Sequence, residues 1–274
     1  MPQLSVGILA CNNEAIIADC LRSVMWADDI FVILDTRSTD RTAELARAFG
    51  ARVVSHRFEN FAAQREFGLS QARGDWLFYV DSDEQATRHV EEEVRHVIQD
   101  DAFDGWWIPR RNVIWGREIR HGGWYPDYQL RLLKVGHAHY DPHRQVHEVV
   151  KLEGKAGYLE NPLIHHNYRT FAEFKRKQQQ YVPYEARIRY EEGKRPKPWT
   201  YLLQPLREFW RRYIALSGYR DGIWGLILCA LIAYYYGFLV TVHLERLWHE
   251  KARGNSDADQ KRDASEEKID GGTE

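Results

Sequence analysis

The sequence predicts an α/β protein built around a mainly parallel sheet. Short apolar segments alternate with amphipathic segments through the first hundred residues, and this alternation is typical of strands joined by helices. Leu4 to Ala10 is a continuous apolar run, as expected for a strand buried on both faces. Strands are predicted at residues 4–10, 29–34, 52–55 and 76–80. Helices are predicted at residues 14–25, 41–49, 61–72 and 87–99.

The composition is that of a globular protein with a substantial core. The chain has 274 residues, of which 44% are hydrophobic and 28% are charged, and its net charge is −2. This length accommodates one large α/β domain with an appendage. The three cysteines are an odd number without metal-like spacing, so a reducing compartment fits better than a disulfide framework. The N-terminus reads as a strand and not as a signal peptide, so the catalytic part is expected in the cytosol.

The pattern changes after the first hundred residues. From about Trp106 to Tyr168 the predicted strands are shorter and are interrupted by Gly, Pro, His and aromatic residues. A polar helix follows, then a Pro-containing linker and a second helical region that starts near Tyr201. We therefore predict a catalytic domain at residues 1–168, a helical region at 169–250 and a disordered charged tail at 251–274.

The segment from Ile223 to Leu244 is the most apolar of the chain. Its length is about the ~20 residues that a membrane helix needs. Residues 169–220 precede it with thirteen Lys and Arg against five Asp and Glu, and such a basic flank is typical of a cytosolic juxtamembrane region. A buried core helix is the alternative. The sequence favours contact with a membrane surface and leaves open whether the segment spans the bilayer or lies in the interface.

Polar clusters follow three of the predicted strands. In a doubly wound sheet, ligands bind beyond the carboxyl ends of the strands. Asp81-Ser82-Asp83 follows a buried strand, and two carboxylates so close together can face one cleft. Hard oxygen ligands suit Mg²⁺ or Mn²⁺, which would neutralise a diphosphate leaving group. The motif is short and occurs by chance in many turns, and its place after the strand is what favours a metal site.

Two further groups in the first half are candidates for ligand contact. Asp35 closes the second strand and could accept from a nucleobase or ribose, whereas Asp40 is placed to cap the following helix. Arg65, early on the third helix, could reach a phosphate. A solvated helix surface is the alternative for Arg65.

A dense block of chemistry-bearing residues occupies positions 121–132. Trp124 and Tyr125 offer faces for stacking on a sugar, and Asp127 follows a proline in a predicted loop before a strand. A carboxylate there could deprotonate an acceptor hydroxyl. The alternative is that Pro126-Asp127 only forms a turn. Further along, His147 and Glu148 alternate on a predicted strand, and His147 is a candidate metal ligand; His165-His166 shows no zinc spacing.

The combined motifs resemble family 2 glycosyltransferases, closest to the branch of lipopolysaccharide core glucosyltransferases. The resemblance runs from about Leu4 to Trp248. The block around His121–Asp127 followed by Val146-His147-Glu148 is its most specific part. The other shared motifs are Asn13-Glu14, Asp35 to Asp40, Gln64-Arg65, Gly74-Asp75-Trp76 and Asp81 to Glu84.

The resemblance implies a GT-A fold, a Rossmann-like mixed sheet flanked by helices. The apolar segment and its basic flank add the prediction of a C-terminal helical membrane-associating region. The resemblance also implies an inverting transfer from a nucleotide-diphosphate sugar, with UDP the expected nucleotide, and a divalent cation, Mg²⁺ or Mn²⁺. By position, Asp35 would contact the nucleobase, Asp81 the ribose or the metal, and Asp127 would be the general base. Asp83 and His147 would hold the metal. The remaining substrate-binding residues would be Asn13, Glu14, Arg65, Trp124, Tyr125 and Arg131.

Three departures from the family pattern surround the nucleotide cleft. Arg37 stands where a small residue is usual, Asn12 where a basic one is usual, and Glu66 where Asn is common. They leave the donor open. We expect a saccharide or glycolipid acceptor in lipopolysaccharide core-like synthesis, at the inner face of the cytoplasmic membrane and without a nucleic-acid partner.

Other functions remain as alternatives. One is transfer to a polyprenyl phosphate, and another is a catalytically silent membrane-bound scaffold. A nucleotidyltransferase would carry a Gly-rich basic loop after the first strand, which residues 11–14 are not.

Overall fold

The computed structural model describes residues 1–141 and 150–251, and these residues form two compact units. The first unit contains Met1–Arg120 and Trp124–Arg169. The second contains His121–Gly123 and the chain from Thr170, described to Lys251. The division into domains at residues 168 and 250 stays a prediction.

A curled mixed sheet forms the centre of the first unit. Within the described residues its strand order is β3-β2-β1-β4-β8-β6-β12-β5, with β7 and β11 paired to β6 and a separate β9–β10 pair. The strands are β1 (Leu4–Ala10), β2 (Asp29–Asp35), β3 (Arg52–His56), β4 (Trp76–Tyr79), β5 (Glu84–Gln85), β6 (Gly105–Ile114), β7 (Arg117–Ile119), β8 (Asp127–Lys134), β9 (Ala138–Tyr140), β10 (Val150–Leu152), β11 (Ala156–Tyr158) and β12 (Leu163–Tyr168).

The parallel half of this sheet matches the prediction from the sequence. β1 lies between β2 and β4 and runs parallel to both. Leu4, Val6 and Ile8 on one face and Ser5 on the other have no exposed surface, as expected for a strand covered on both faces. Because the chain order reverses at β1, the carboxyl ends of β1, β2 and β4 border one crevice.

Helices cover this half of the sheet. They are α1 (Ile17–Ser23), α2 (Thr42–Ala48), α3 (Phe61–Gln71) and α4 (Arg88–Val97). Asn60 and Thr87 cap α3 and α4 by accepting from the N–H groups of Ala63 and Val90. α1 begins at Ile17, later than predicted, and the turn before it is closed by the N–H of Ile16, which donates to the carbonyl of Asn13.

The antiparallel half brings β8 between β4 and β6. The sequence predicted Asp127 in a loop before a strand, and this prediction was wrong, because Asp127 is the first residue of β8. It pairs in register with Arg110 of β6. The side chain of Asp127 therefore has a position fixed by the sheet.

The second unit is helical. Its helices are α5 (Phe171–Glu191), α6 (Thr200–Trp210) and α7 (Gly222–Ile232), with π-helical Arg211–Ala215 and Ala233–Leu239 and a short 3-10 helix, Gly218–Asp221. The stretch Gly218–Lys251, named the C-terminal helix below, is by length and composition alone able to cross a membrane. His121 is bound to this unit, since Asp221 accepts from its backbone N–H and its Nδ1 lies 3.0 Å from Asp221 Oδ1.

Candidate active site

Asp81 lies between two buried arginines at the carboxyl end of β4. Arg131 of β8 places its Nη2 2.5 Å from Asp81 Oδ2, and Arg65 of α3 places its Nη2 3.1 Å from Asp81 Oδ1. The two arginine side chains are only 7% and 3% exposed, whereas that of Asp81 is 27% exposed. Two predicted substrate-binding residues, Arg65 and Arg131, thus converge on a third.

These cations keep Asp81 ionised. Burial alone would raise the pKa of Asp81, but the charges of Arg131 and Arg65 outweigh it and hold the pKa well below its usual range. The turn that follows is closed by the fully buried Glu84, whose carboxylate accepts from the N–H of Asp81. Asp81 to Glu84 therefore form a turn held by hydrogen bonds between its two ends, which is named the acidic turn below.

Asp127 is held by residues of the neighbouring strand β6. Arg110 Nη2 lies 2.6 Å from Asp127 Oδ2, and Asn112 Nδ2 lies 3.5 Å from the same oxygen. Gln129 donates to Asp127 Oδ1 at 3.0 Å. Arg110 also pairs with Glu84 at 3.1 Å, so one guanidinium joins Asp127 to the acidic turn.

The carboxyl of Asp127 is ionised in this setting. Burial alone would raise its pKa, but the charge of Arg110 and the hydrogen bonds from Arg110, Gln129 and Asn112 lower it below the ordinary range. The carboxylates of Glu84 and Asp127 in turn raise the pKa of Arg110 despite its burial. Asp127 is therefore able to accept a proton at neutral pH.

A chain of polar contacts leads from Asn112 to Asp83. Asn112 Oδ1 lies 2.8 Å from His165 Nδ1, and His165 Nε2 lies 3.6 Å from Asp83 Oδ2. Register explains the arrangement, because His165 of β12 pairs with Asn112 of β6 on one side and with Glu84 of β5 on the other. Three strands distant in sequence thus bring His165 to the acidic turn.

These contacts define which nitrogen of His165 carries a proton. Asn112 Nδ2 donates to the carbonyl of Trp124 at 2.8 Å, so Asn112 Oδ1 is the atom that faces His165. An amide oxygen only accepts, and His165 Nδ1 must therefore carry the hydrogen. In the neutral ring, His165 Nε2 then presents its lone pair toward Asp83, an arrangement typical of histidine metal ligands.

The predicted nucleobase contact, Asp35, is occupied by Arg37. Asp35 is 2% exposed, and its Oδ2 accepts from Arg37 Nε at 2.8 Å and from Nη2 at 2.5 Å. Its Oδ1 accepts from the N–H groups of Arg37 and Phe58. The hydrogen bonds from Arg37 lower the pKa of Asp35 to about 2. A base or ribose approaching Asp35 would meet the guanidinium of Arg37.

Asn13 orders the loop after β1, and Glu14 connects this loop to the start of α2. Asn13 Oδ1 accepts from the N–H of Cys11, and Glu14 Oε2 accepts from the N–H of Arg41 at 3.0 Å. Asp40 in turn accepts from the N–H groups of Glu14 and Thr42. These contacts fix the crevice wall beside Asp35. The N-cap of α2 is Arg41 and not Asp40 as predicted, but Asp40 still accepts from the N–H and the hydroxyl of Thr42, the first residue of α2.

The two aromatic candidates differ in exposure. Tyr125 is 38% exposed, while Trp124 is partly buried and meets the ring of Tyr168 edge-on at 6.3 Å. Both lie just before Pro126-Asp127 in the chain. His147, the predicted metal ligand, lies outside the described residues, as do His143 and Glu148.

The described residues offer an incomplete set of ligands for a cation. They contain no group of three or more His, Cys, Asp or Glu side chains arranged to hold a metal. Asp83 and His165 provide one oxygen and one nitrogen donor 3.6 Å apart. Magnesium is commonly bound by one or two protein carboxylates, with waters and substrate phosphates completing its shell. The donor set present fits a cation bound together with a diphosphate.

The sequence did not single out Arg110, Asn112 or His165. The sequence showed only that they lie on predicted short strands. Local patterns do not show that β6 pairs with β8 and β12, and this pairing is what brings the three residues to the site. His165 was set aside because it lacks zinc spacing, but ligands drawn from different strands have no fixed spacing.

The mixed sheet flanked by helices, with acidic residues beyond its parallel strands, has the organisation of the GT-A fold that the sequence predicted. Residues 5–177 match the model of Glycosyl transferase family 2. This match covers more than half of the chain, which therefore belongs to that family and is a glycosyltransferase.

Several known proteins are similar to the chain. The lipopolysaccharide core biosynthesis glycosyltransferase LpsC of Rhizobium meliloti (strain 1021) is 29% identical over 93% of this chain and 96% of its own length. An uncharacterized glycosyltransferase of Rickettsia typhi is 30% identical over 36% of this chain and 34% of its own length.

Among solved structures, the chain is similar to glucosyl-3-phosphoglycerate synthase from Mycobacterium tuberculosis in complex with uridine-diphosphate. The identity is 24%, the match covers 42% of this chain and 46% of that one, and the TM-score is 0.35. The chain thus spans less than half the length of this solved protein.

Proposed function

We propose that the chain transfers a hexose from a UDP-sugar to a hydroxyl of a saccharide or glycolipid acceptor in cell-envelope glycan synthesis. Membership of family 2 and the similarity to LpsC along nearly the whole of both chains support this assignment. The enzyme would act in the cytoplasm at the inner face of the cytoplasmic membrane, where glycolipid acceptors are accessible.

The observation that carries the proposal is the ionised Asp127 beside the acidic turn. Arg110 holds Asp127 and Glu84 together, so a carboxylate base and the candidate diphosphate site share one rigid cluster. A general base must be within reach of the proton that it abstracts, and the sheet register fixes Asp127 at this edge.

In the proposed reaction, Asp127 accepts the proton of the acceptor hydroxyl as its oxygen forms a bond to the anomeric carbon. The bond from that carbon to the diphosphate breaks on the opposite face, so the configuration inverts and the diphosphate leaves with the electron pair. Asp127 is kept ionised by Arg110, and Asn112 orients its carboxylate.

A divalent cation, when bound, would offset the charge that develops on the leaving diphosphate. Asp83 and His165 would hold it. A nitrogen ligand favours Mn²⁺ over the harder Mg²⁺. Arg65 and Arg131 would keep Asp81 fixed as the neighbouring wall, against which the ribose is expected to bind.

The remaining predicted contacts belong to the donor and acceptor. Asp35 would face the nucleobase, with Arg37 displaced from it by the base. Asn13 and Glu14 would hold the surrounding loops. Trp124 and Tyr125 would stack on the acceptor sugar, since aromatic faces suit the apolar face of a pyranose.

A thermal-shift screen of the full chain tests this function. We expect one UDP-sugar to raise the melting temperature in the presence of Mn²⁺, and less without it, because a ligand that binds only the folded state stabilises it. The same sugar should then release UDP in the presence of a glycan acceptor. If no nucleotide sugar raised the melting temperature, with or without either cation, the proposed function would be wrong.

A further inference from the structure

An exposed apolar stripe runs along α6. It consists of Trp199, Leu202, Leu203, Leu206 and Trp210, which are 55–66% exposed. Their spacing of three and four places them on one face of the helix. No residue of α6, which lies entirely within the described part of the chain, is buried. We name these five residues the α6 stripe.

A second apolar stripe lies on the C-terminal helix, which packs against α6. Its members are Ile223, Leu226, Ile227, Tyr234 and Phe238, each at least 36% exposed. The two helices approach closely where Gly237 meets Pro205, because a Cβ on Gly237 would lie 2.5 Å from Pro205 Cα. The rings of Tyr201 and Phe238 meet near this point at 6.2 Å. Two contacting helices thus each expose an apolar face.

Cationic side chains lie at both ends of the α6 stripe, and one of them, Arg211, also pairs with Glu208. Lys197 Nζ lies 5.3 Å from the ring centre of Trp199 at the start of the helix, and Arg207 and Arg211 lie near its end. The whole segment 169–220 has an excess of eight cationic over acidic residues. Exposed Trp and Leu beside Lys and Arg form the composition that binds the interface of an anionic bilayer.

The packing of α5 argues against a transmembrane C-terminal helix. α5 buries only one narrow stripe, Phe174, Gln178, Val182 and Ala186, and lies along the C-terminal helix. Phe174 meets Tyr235 at 5.8 Å, and sixteen residues later Tyr190 meets Trp248 at 4.6 Å.

A spanning C-terminal helix would therefore carry α5 into the hydrocarbon. The charged residues of α5 are Glu173, Lys175, Arg176, Lys177, Glu185, Arg187, Arg189 and Glu191. Ionised side chains in the bilayer core are strongly unfavourable. The C-terminal helix is instead a partly buried helix that exposes one apolar face.

We infer that the second unit docks on the surface of an anionic lipid bilayer through the α6 stripe, with the C-terminal helix in the interface and not across the membrane. This inference rests on the proposed function for its acceptor at the membrane. It excludes the spanning arrangement that the sequence left open, and it predicts a monotopic enzyme.

Vesicle flotation of the full chain tests the docking. The probes are vesicles of phosphatidylcholine alone and of three parts phosphatidylcholine to one part phosphatidylglycerol. We expect binding to the anionic vesicles that weakens as salt is raised. The double variant Leu202→Glu/Leu206→Glu should bind at least about tenfold less, because two apolar anchors are replaced by anions. Met25→Glu, an equally exposed apolar residue of the first unit, should bind like the wild type.

Several outcomes would overturn the inference. These are wild-type binding to neither vesicle, equal binding by the double variant, and retention of the wild type in membranes after alkaline carbonate extraction, which would indicate a spanning helix. Should the double variant fail to fold, Leu206→Gln alone tests the same stripe. The double variant should keep the thermal shift with the UDP-sugar, so a loss of docking is distinguishable from a failure of the proposed function.

Discussion

Arg110 Nη2 lies 2.6 Å from Asp127 Oδ2, and Nη1 of the same guanidinium lies 3.1 Å from Glu84 Oε1. A single side chain of β6 therefore connects the candidate base on β8 to the acidic turn after β4. Because Arg110 contacts both carboxylates, a substitution at this position would disturb the candidate base and the acidic turn together.

In the proposed mechanism, the acid limb of the activity profile reports the pKa of Asp127. Gln129 lowers that pKa through its hydrogen bond to Oδ1, so Gln129→Leu should raise it and shift the acid limb of kcat/KM to higher pH. The pH profile of kcat/KM measures this, since it reports the base of the free enzyme. Gln99→Leu, remote on the surface, is the control. An acid limb that stays in place in Gln129→Leu would remove Asp127 from the role of base.

Asp35 and Arg37 make the stability of the fold depend on pH. The folded pKa of Asp35 is about 2, below the value of about 3.9 in an unfolded chain. Its stabilising effect is therefore present above about pH 4 and is lost as the pH falls toward 2. Arg37→Gln should lower the free energy of unfolding at pH 7, and this loss should shrink between pH 4 and 2.

Urea unfolding at several pH values measures the effect of Arg37. Arg41→Gln is a matched control, because Arg41 is exposed and lies 3.5 Å from Glu14. A loss in Arg37→Gln that is independent of pH would contradict the assigned ion pair.

Asp81 and Asp83 should differ in what they do for the protein. Asp81→Asn leaves two buried guanidinium groups without their shared carboxylate, so we expect a loss of about 2–4 kcal/mol in the free energy of unfolding. Asp83→Asn should cost less stability but weaken the Mn²⁺ dependence of donor binding. Urea unfolding and calorimetry with UDP measure the two effects. Equal stability losses in both variants would show that the roles are not divided in this way.

His165 is expected to ligate the cation. His165→Ala should weaken Mn²⁺ binding in the presence of UDP by about tenfold or more, as measured by the electron paramagnetic resonance signal of free Mn²⁺. His166→Ala is the control, since it keeps the backbone N–H through which His166 donates to the carbonyl of Asp83. Unchanged Mn²⁺ affinity in His165→Ala would exclude this role.

Local sequence patterns were sufficient for the parallel half of the fold. The first strand was predicted with its observed bounds, and the next three differed by one residue at their ends. These strands are buried runs bounded by turn residues, so their signal is local. The acidic turn after β4 was located for the same reason.

The rest of the site depends on pairing between distant strands. Asn112 and His165 are fifty-three residues apart and meet only because β6 and β12 pair in register. The occupation of Asp35 by Arg37 was equally hidden, because a departure from a family pattern does not show where the new side chain points. The candidate carboxylates could therefore be chosen from the sequence, whereas the side chains that contact them, Arg110, Asn112 and His165, are recognised only in the structure.

The role of Asp127 is tested most directly by Asp127→Asn. The amide keeps the shape of the side chain but cannot accept the proton, so we predict a thermal shift with the UDP-sugar and Mn²⁺ equal to that of the wild type. The rate of transfer to acceptor, measured under saturating donor, should fall by about 10² to 10⁴-fold. Transfer at the wild-type rate by this variant would contradict the mechanism.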